Sequence, residues 1–144
     1  MTSRCLLFIA LLFTAAPGSA QAQTDQEVEA RKTALDVAGA FTNDGFKLRD
    51  GHWAGAVKPG DRALIAVNLY AGNQYWFSAG ANETAKKIGV DIYDENGRQL
   101  TADNYNAGEK AAAGFSPVNS GQYFISVNLL EGAASSLCLV YSYK

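Results

Sequence analysis

The sequence predicts an antiparallel, jelly-roll-like β-sandwich preceded by one N-terminal α-helix, an all-β fold class with a single helical addition. Three observations predict it. Apolar residues recur at helical spacing only before Gly45, they alternate with a period of two after it, and the alternating runs are separated by short clusters of Gly, Pro, Asn and Asp. A chain of 144 residues, 48% hydrophobic, has enough apolar side chains for one core.

The chain opens with a basic start (Met1 to Arg4), an apolar run from Cys5 to Phe13, a Pro17/Gly18 break and the small-residue pattern Ala20-Gln21-Ala22. This is the pattern of a secretory signal peptide over residues 1–22, cleaved after Ala22, and it predicts an exported, periplasmic or secreted protein. No later stretch approaches the roughly 18 apolar residues that a spanning helix needs. The formal charge is −2, and −3 once Arg4 is removed, which argues against nucleic acid or an anionic lipid surface as partner. Removal of Cys5 leaves Cys138 alone, so no internal disulfide is available and the core must stabilise the fold.

Residues 23–45 read as the helix and its connection. Thr24 with Glu27 forms a capping box, Glu27 and Arg31 are spaced i,i+4, and Val28, Ala34, Leu35, Val37, Ala38 and Phe41 make one narrow apolar stripe. Asn43-Asp44-Gly45 supplies residues that tolerate the left-handed conformation at a helix end. Residues 46–144 read as the sandwich. Ile65, Val67 and Leu69 form one inward set, Tyr75 and Phe77 a second, Ile88, Val90 and Ile92 a third, and Tyr123, Ile125 and Val127 a fourth. Turns are expected at 58–61, 71–73, 94–97 and 119–121, the first with Pro59 and Gly60 placed for type II. The run 137–143 is apolar on both faces, as a central or helix-covered strand would be.

In order and spacing, GAVKPGD (55–61), LYAGNQYWF (69–77), VDIYDENGRQL (90–100) and FSPVNSGQYFISV (115–127) resemble the bacterial pre-peptidase C-terminal domain over about residues 52–143. The resemblance implies a small jelly-roll sandwich acting as an accessory, non-catalytic module with no cofactor.

The most site-like segment is 90–100, which concentrates Asp91, Asp94, Glu95, Asn96 and Gly97. With Gly97 at the sixth position of a calcium loop, the first ligand position falls on the aliphatic Ile92. The positions often acidic in calcium-binding relatives of the resembled family are Lys87 and Gly89 here. A β-hairpin turned by Asp94, Asn96 and Gly97 is the expectation, with a weak cation site at Asp91, Asp94 or Asp103 as the alternative.

Catalytic signals are sparse. His52 is the only histidine, Asp50 is its nearest acid, and no nucleophile elbow or other serine context accompanies them, so a hydrolase stays only as the alternative of a different class. One His and one Cys are no zinc set, and Cys138, in an apolar strand without a basic neighbour, reads as an inert thiol. Binding is the class that remains, with a protein or an envelope polysaccharide as partner and Trp53, Tyr70, Trp76, Tyr93 and Tyr105 as candidate contacts. Trp76 and Tyr93 have the parity that points away from the core, so each is either exposed for a partner or covered by the helix. The oligomeric state is left open.

Overall fold

The computed structural model describes the backbone of residues 19–144 and the side chains from Asp25 onward. The first 18 residues of the predicted signal peptide, and the side chains of its last four, lie outside the described residues. The elements are helix α1 (Ser19–Thr42) and strands β1 (Lys47–Leu48), β2 (Trp53–Val57), β3 (Arg62–Leu69), β4 (Tyr75–Ala81), β5 (Ala85–Tyr93), β6 (Gln99–Leu100), β7 (Asp103–Ala107), β8 (Lys110–Phe115), β9 (Gly121–Gly132) and β10 (Ser135–Tyr143). Antiparallel pairing gives a six-stranded sheet in the order β1-β10-β4-β8-β7, with β2 also paired to β10, and a four-stranded sheet in the order β3-β9-β5-β6. The fold is therefore the expected all-β sandwich with one helix.

The two sheets face each other across one core. Tyr75, Phe77 and Ala79 of β4, Leu137 and Leu139 of β10 and Ala111 and Ala113 of β8 meet Val67 and Leu69, Ile88, Val90 and Ile92, and Ile125, Val127 and Leu129. Every inward set expected from the alternation is in this cluster except Ile65, which packs at its margin. Each large aliphatic or aromatic side chain buried there contributes about 1.5–3 kcal/mol.

The turns follow the expected chemistry. Asp61 N–H donates to the Lys58 carbonyl (3.0 Å) with Gly60 at φ 82°, the type II arrangement that Pro59 favours. At the other end of β3, Asn73 N–H donates to the Tyr70 carbonyl (3.3 Å). The helix stops as predicted: Gly45 N–H donates to the Thr42 carbonyl (3.1 Å) and Gly45 takes φ 88°.

The helix differs from expectation at its start and in its buried face. It begins at Ser19, so Thr24 lies inside it and does not cap it. Val28 is 63% exposed and Leu35 37% exposed, whereas Ala30, Ala34, Val37 and Ala38 are buried. The reason is distance. A Cβ on Gly80 would overlap the Ala34 backbone nitrogen and stand 2.7 Å from the Ala30 carbonyl oxygen, so the helix rests on the sheet at backbone contact. At this closest approach only small side chains fit, and the larger Val28 and Leu35 fall outside it. Ala30, Ala34 and Ala38 pack on Cys138 and Val140 of β10, which is both central in its sheet and covered by the helix. Glu29 Oε1 accepts the Glu83 N–H (3.1 Å), tying the helix to the turn after β4.

Strand β7 escaped the sequence reading, and its role is to close one side of the sandwich. Asn104 and Asn106 of β7 donate from their side-chain amides to the carbonyls of Val90 (2.9 Å) and Ile88 (3.0 Å) on β5. The Ile88 N–H donates to the Gly108 carbonyl (3.1 Å) in the loop between β7 and β8. Beyond its short pairing with β6, the free edge of β5 is thus covered by side chains and a loop.

Candidate functional site

The opposite edge of the four-stranded sheet is different. Strand β3 is its terminal strand, eight residues long, and among the described residues no strand pairs with it on the far side. Its register to β9 sets Arg62 opposite Asn128 and Ala66 opposite Phe124. Leu129 N–H donates to the Asp61 carbonyl (3.2 Å), which places Asp61 in a hydrogen-bonded pair. Antiparallel ladders alternate such pairs with unbonded ones, so the N–H and C=O groups of Arg62, Leu64, Ala66 and Asn68 point outward from the sheet edge.

Around this edge the surface is apolar and carries charges of both signs. On the outer face of the four-stranded sheet, Leu64 is 54% exposed, and a groove of about 260 Å³ is lined by Arg62, Leu64, Tyr93, Glu95, Gly97 and Phe124. The Arg62 guanidinium lies 5.5 Å from the Tyr93 ring centroid and Nη1 donates to the Tyr93 hydroxyl (3.2 Å). On the other side of β3 a cleft of about 320 Å³ opens between the two sheets. It is lined by Ile65, Val67, Leu139 and Tyr141 and, from the segment leading into β2, by Arg49, Asp50, His52 and Trp53. Arg49 stands over the Tyr141 ring at 5.8 Å, and burial raises the Tyr141 hydroxyl above its ordinary pKa with Arg49 opposing.

The five candidate aromatics are dispersed. Trp53 packs against the core margin and folds its ring over Gly55, where a Cβ would be 2.7 Å from Cζ2. Tyr93 is on the outer face of the four-stranded sheet, as its parity predicts. Tyr70 is in the turn after β3, 56% exposed, with its N–H donating to the Tyr75 hydroxyl (2.9 Å). Trp76 points away from the core, as predicted, and the helix covers it. Its ring stacks on Phe41 at 4.2 Å and 10°, and lies over Gly114, whose added Cβ would be 2.8 Å away. Trp76 is therefore half-buried in the helix–sheet contact, with part of its ring left to line a groove. Tyr105, 49% exposed, meets Trp76 in a groove of about 490 Å³ beside Val37, Phe41 and Lys110.

The carboxylates of 90–103 are committed to the chain itself. Asp94 Oδ1 accepts the N–H groups of Asn96 and Arg98 (2.9 Å each), the Gly97 N–H donates to the Asp94 carbonyl, and Gly97 takes φ 79°. This is the hairpin turn. Asp91 accepts from the side-chain amides of Asn128 (2.8 Å) and Gln99 (3.3 Å), while Asp103 begins β7 in the other sheet. Among the described residues no three His, Cys, Asp or Glu side chains converge on a common ion position.

His52 and Asp50 both line the cleft beside β3, and the lining contains no serine, threonine or cysteine to act as nucleophile. Cys138 is fully buried beneath the helix, and its pKa is pushed up to about 11 by burial. Arg31 lies close enough to oppose that shift, so the thiol does have a basic neighbour, brought from the helix. Burial outweighs it, and the thiol stays protonated at neutral pH.

No family model matches the chain, and no curated protein matches it in sequence. Among solved structures, the chain is similar to a periplasmic inhibitor of g-type lysozyme from Aeromonas hydrophila, at 14% identity and TM-score 0.48, over 65% of this chain and 85% of that one. It is also similar to a de novo designed double-stranded β-helix, at 13% identity and TM-score 0.37, over 63% of this chain and 97% of the other. No helix among the described residues is long and apolar enough to cross a membrane.

Proposed function

We propose that the chain is an exported, non-catalytic module that binds a protein partner through the side of the sandwich centred on β3. One observation carries this reading: Leu64, Phe124, Tyr93 and Arg62 form a continuous uncovered surface that meets a strand edge with free backbone groups. Aromatic residues and arginine are the side chains that concentrate binding energy at protein interfaces. The signal pattern in residues 1–22 supports export, and the resemblance of residues 52–143 to an accessory domain of secreted enzymes supports a non-catalytic role. Glycan binding through stacked rings has less support, because the Trp76 ring lies between Phe41 and Gly114.

The test is capture of envelope proteins by the purified chain carrying Leu64→Asp or, separately, Tyr105→Ala. The expected result is that a specific partner held by the unchanged chain is lost with Leu64→Asp and kept with Tyr105→Ala. The reverse pattern would move the site to the groove beside the helix.

A further inference from the structure

We propose that helix α1 is a removable cover over one modifiable thiol: Cys138 reacts with low-molecular-weight disulfides when the helix lifts, and the modified side chain then holds the helix off the sheet. The inference is independent of the protein-binding reading and concerns the opposite face of the sandwich.

Two observations meet at this contact. The first is steric. Cys138 stands opposite Gly80 in the pairing of β10 with β4, and it is fully buried against Ala30, Ala34 and Ala38. Beside it, a Cβ on Gly80 would come within 2.7 Å of the Ala30 carbonyl oxygen, so helix and sheet are at backbone contact there. A second sulfur bonded to Cys138, with its own substituent, has no space beneath the docked helix and must displace it. Docking and modification therefore exclude each other, and each opposes the other by the same free energy.

The second is polar. Among the described residues Ser78 Oγ is buried without a hydrogen-bond partner. Its neighbours Phe77 and Ala79 point into the core, so Ser78 is directed into the helix contact, between Gly80 beneath Ala34 and Trp76 beneath Phe41. An unpartnered hydroxyl favours the lifted state, where water reaches it. Against this, the docked helix is held by alanines that each bury little apolar surface, by Val37, by the Phe41–Trp76 stack and by the exposed hydrogen bond from the Glu83 N–H to Glu29. The turn 43–45, with Gly45 at φ 88°, supplies the hinge. Lifting of the helix from an intact sandwich is then an easier route to the thiol than unfolding of the whole domain.

Beneath the helix the thiol is protonated and out of reach, and hence inert. In the lifted state it gives its proton to solvent, and the thiolate attacks one sulfur of the disulfide. The S–S bond of the reagent breaks, a new S–S bond joins that sulfur to Cys138, and the other half leaves as a thiolate that takes up a proton.

The experiment incubates the purified chain with oxidised glutathione and follows the adduct at Cys138 by peptide mass. Adduct formation should rise with denaturant far less steeply than global unfolding does. Phe41→Ala, which removes the stack on Trp76, should speed it at least tenfold while the Val90, Ile125 and Val127 amides exchange as slowly as in the unchanged chain. In the adduct the Ala34 and Ala38 amides should exchange at least tenfold faster than in the thiol form, and reduction should restore their protection. Should Phe41→Ala fail to fold, the denaturant dependence and the reversible loss of helix protection, both read on the unchanged sequence, decide. No adduct at Cys138, modification that tracks global unfolding, or an adduct whose helix stays protected would overturn the proposal, as would an adduct in which the sandwich core loses protection with the helix.

Discussion

On the outer face of the six-stranded sheet stand Ser78, Gly80, Ala112, Gly114, Cys138 and Val140; on the outer face of the four-stranded sheet stand Arg62, Leu64, Tyr93, Phe124, Asn128 and Leu130. The first set is small because the helix lies on it at backbone distance, and its one large ring, Trp76, lies over a glycine and under Phe41. The second set is larger and amphipathic, with Leu64 and Leu130 about half exposed and Tyr93 and Phe124 partly so. Small residues on an outward face are thus the imprint of something that already covers it. Arginine, leucine and aromatic residues on an outward face are what a partner would need to find there.

Substitutions that damage the covered face should cost stability, and those on the bare face should not. The largest effect is expected for Trp76→Ala, which removes the ring stacked on Phe41 and exposes Gly114: about 3 kcal/mol of stability lost in denaturant unfolding. A cost below about 1 kcal/mol would break the comparison by returning Trp76 to the surface. Gly80→Ala should follow at about 2 kcal/mol, since its Cβ must displace the helix backbone at Ala30 and Ala34. Melting temperature and the helical signal in circular dichroism would report it together.

The third expectation concerns pH. The Cys138 thiol has its pKa raised from 9.0 to about 11, so the folded state holds its proton more tightly than the unfolded state does. Its contribution to stability is fully present below pH 9 and is lost as pH rises through about 11. Unfolding free energies measured between pH 8 and 11 should fall, and Cys138→Ala should flatten the fall. An unchanged slope would mean that other groups carry it. The smallest effect is expected for Leu64→Asp on the bare face, within about 0.5 kcal/mol of the unchanged chain. A larger loss would show that Leu64 is part of the core after all.

How much of this was legible in the sequence depends on whether a residue's role is local. The inward sets of β3, β4, β5 and β9, the Pro59-Gly60 turn and the helix stop at Gly45 were all readable, because alternation and turn chemistry are fixed within a few residues. The 94–97 turn was readable for the same reason, through Asp94 and Gly97. Strands β7 and β8 were not. DNYNA has no apolar alternation because its asparagines cap β5 carbonyls. KAAAGF shows no alternation because small residues fill both faces, Ala111 and Ala113 in the core between the sheets and Ala112 and Gly114 on the outward face, where the Trp76 ring lies over Gly114. The parity of Trp76 was readable and whether the helix covers its ring was not, since a covering helix is a long-range fact. The stripe on the helix held at Ala34, Val37, Ala38 and Phe41 and failed at two positions: Val28 and Leu35 are more hydrophobic than Ala30, yet the closeness of Gly80 selects the alanine. Nothing in RALIAVNL tells an edge strand from a central one, so the site on β3 came from topology alone.

The central claim is that the bare β3 side receives a partner while the helix-covered side is structural. Photocrosslinking tests it most directly, with a photoreactive amino acid placed at position 64 in one chain and at position 105 in another, irradiated in cells that produce the protein. The account predicts a discrete crosslinked species from position 64 and none from position 105. A discrete species from position 105 alone would contradict it, and would place the working surface in the groove beside the helix.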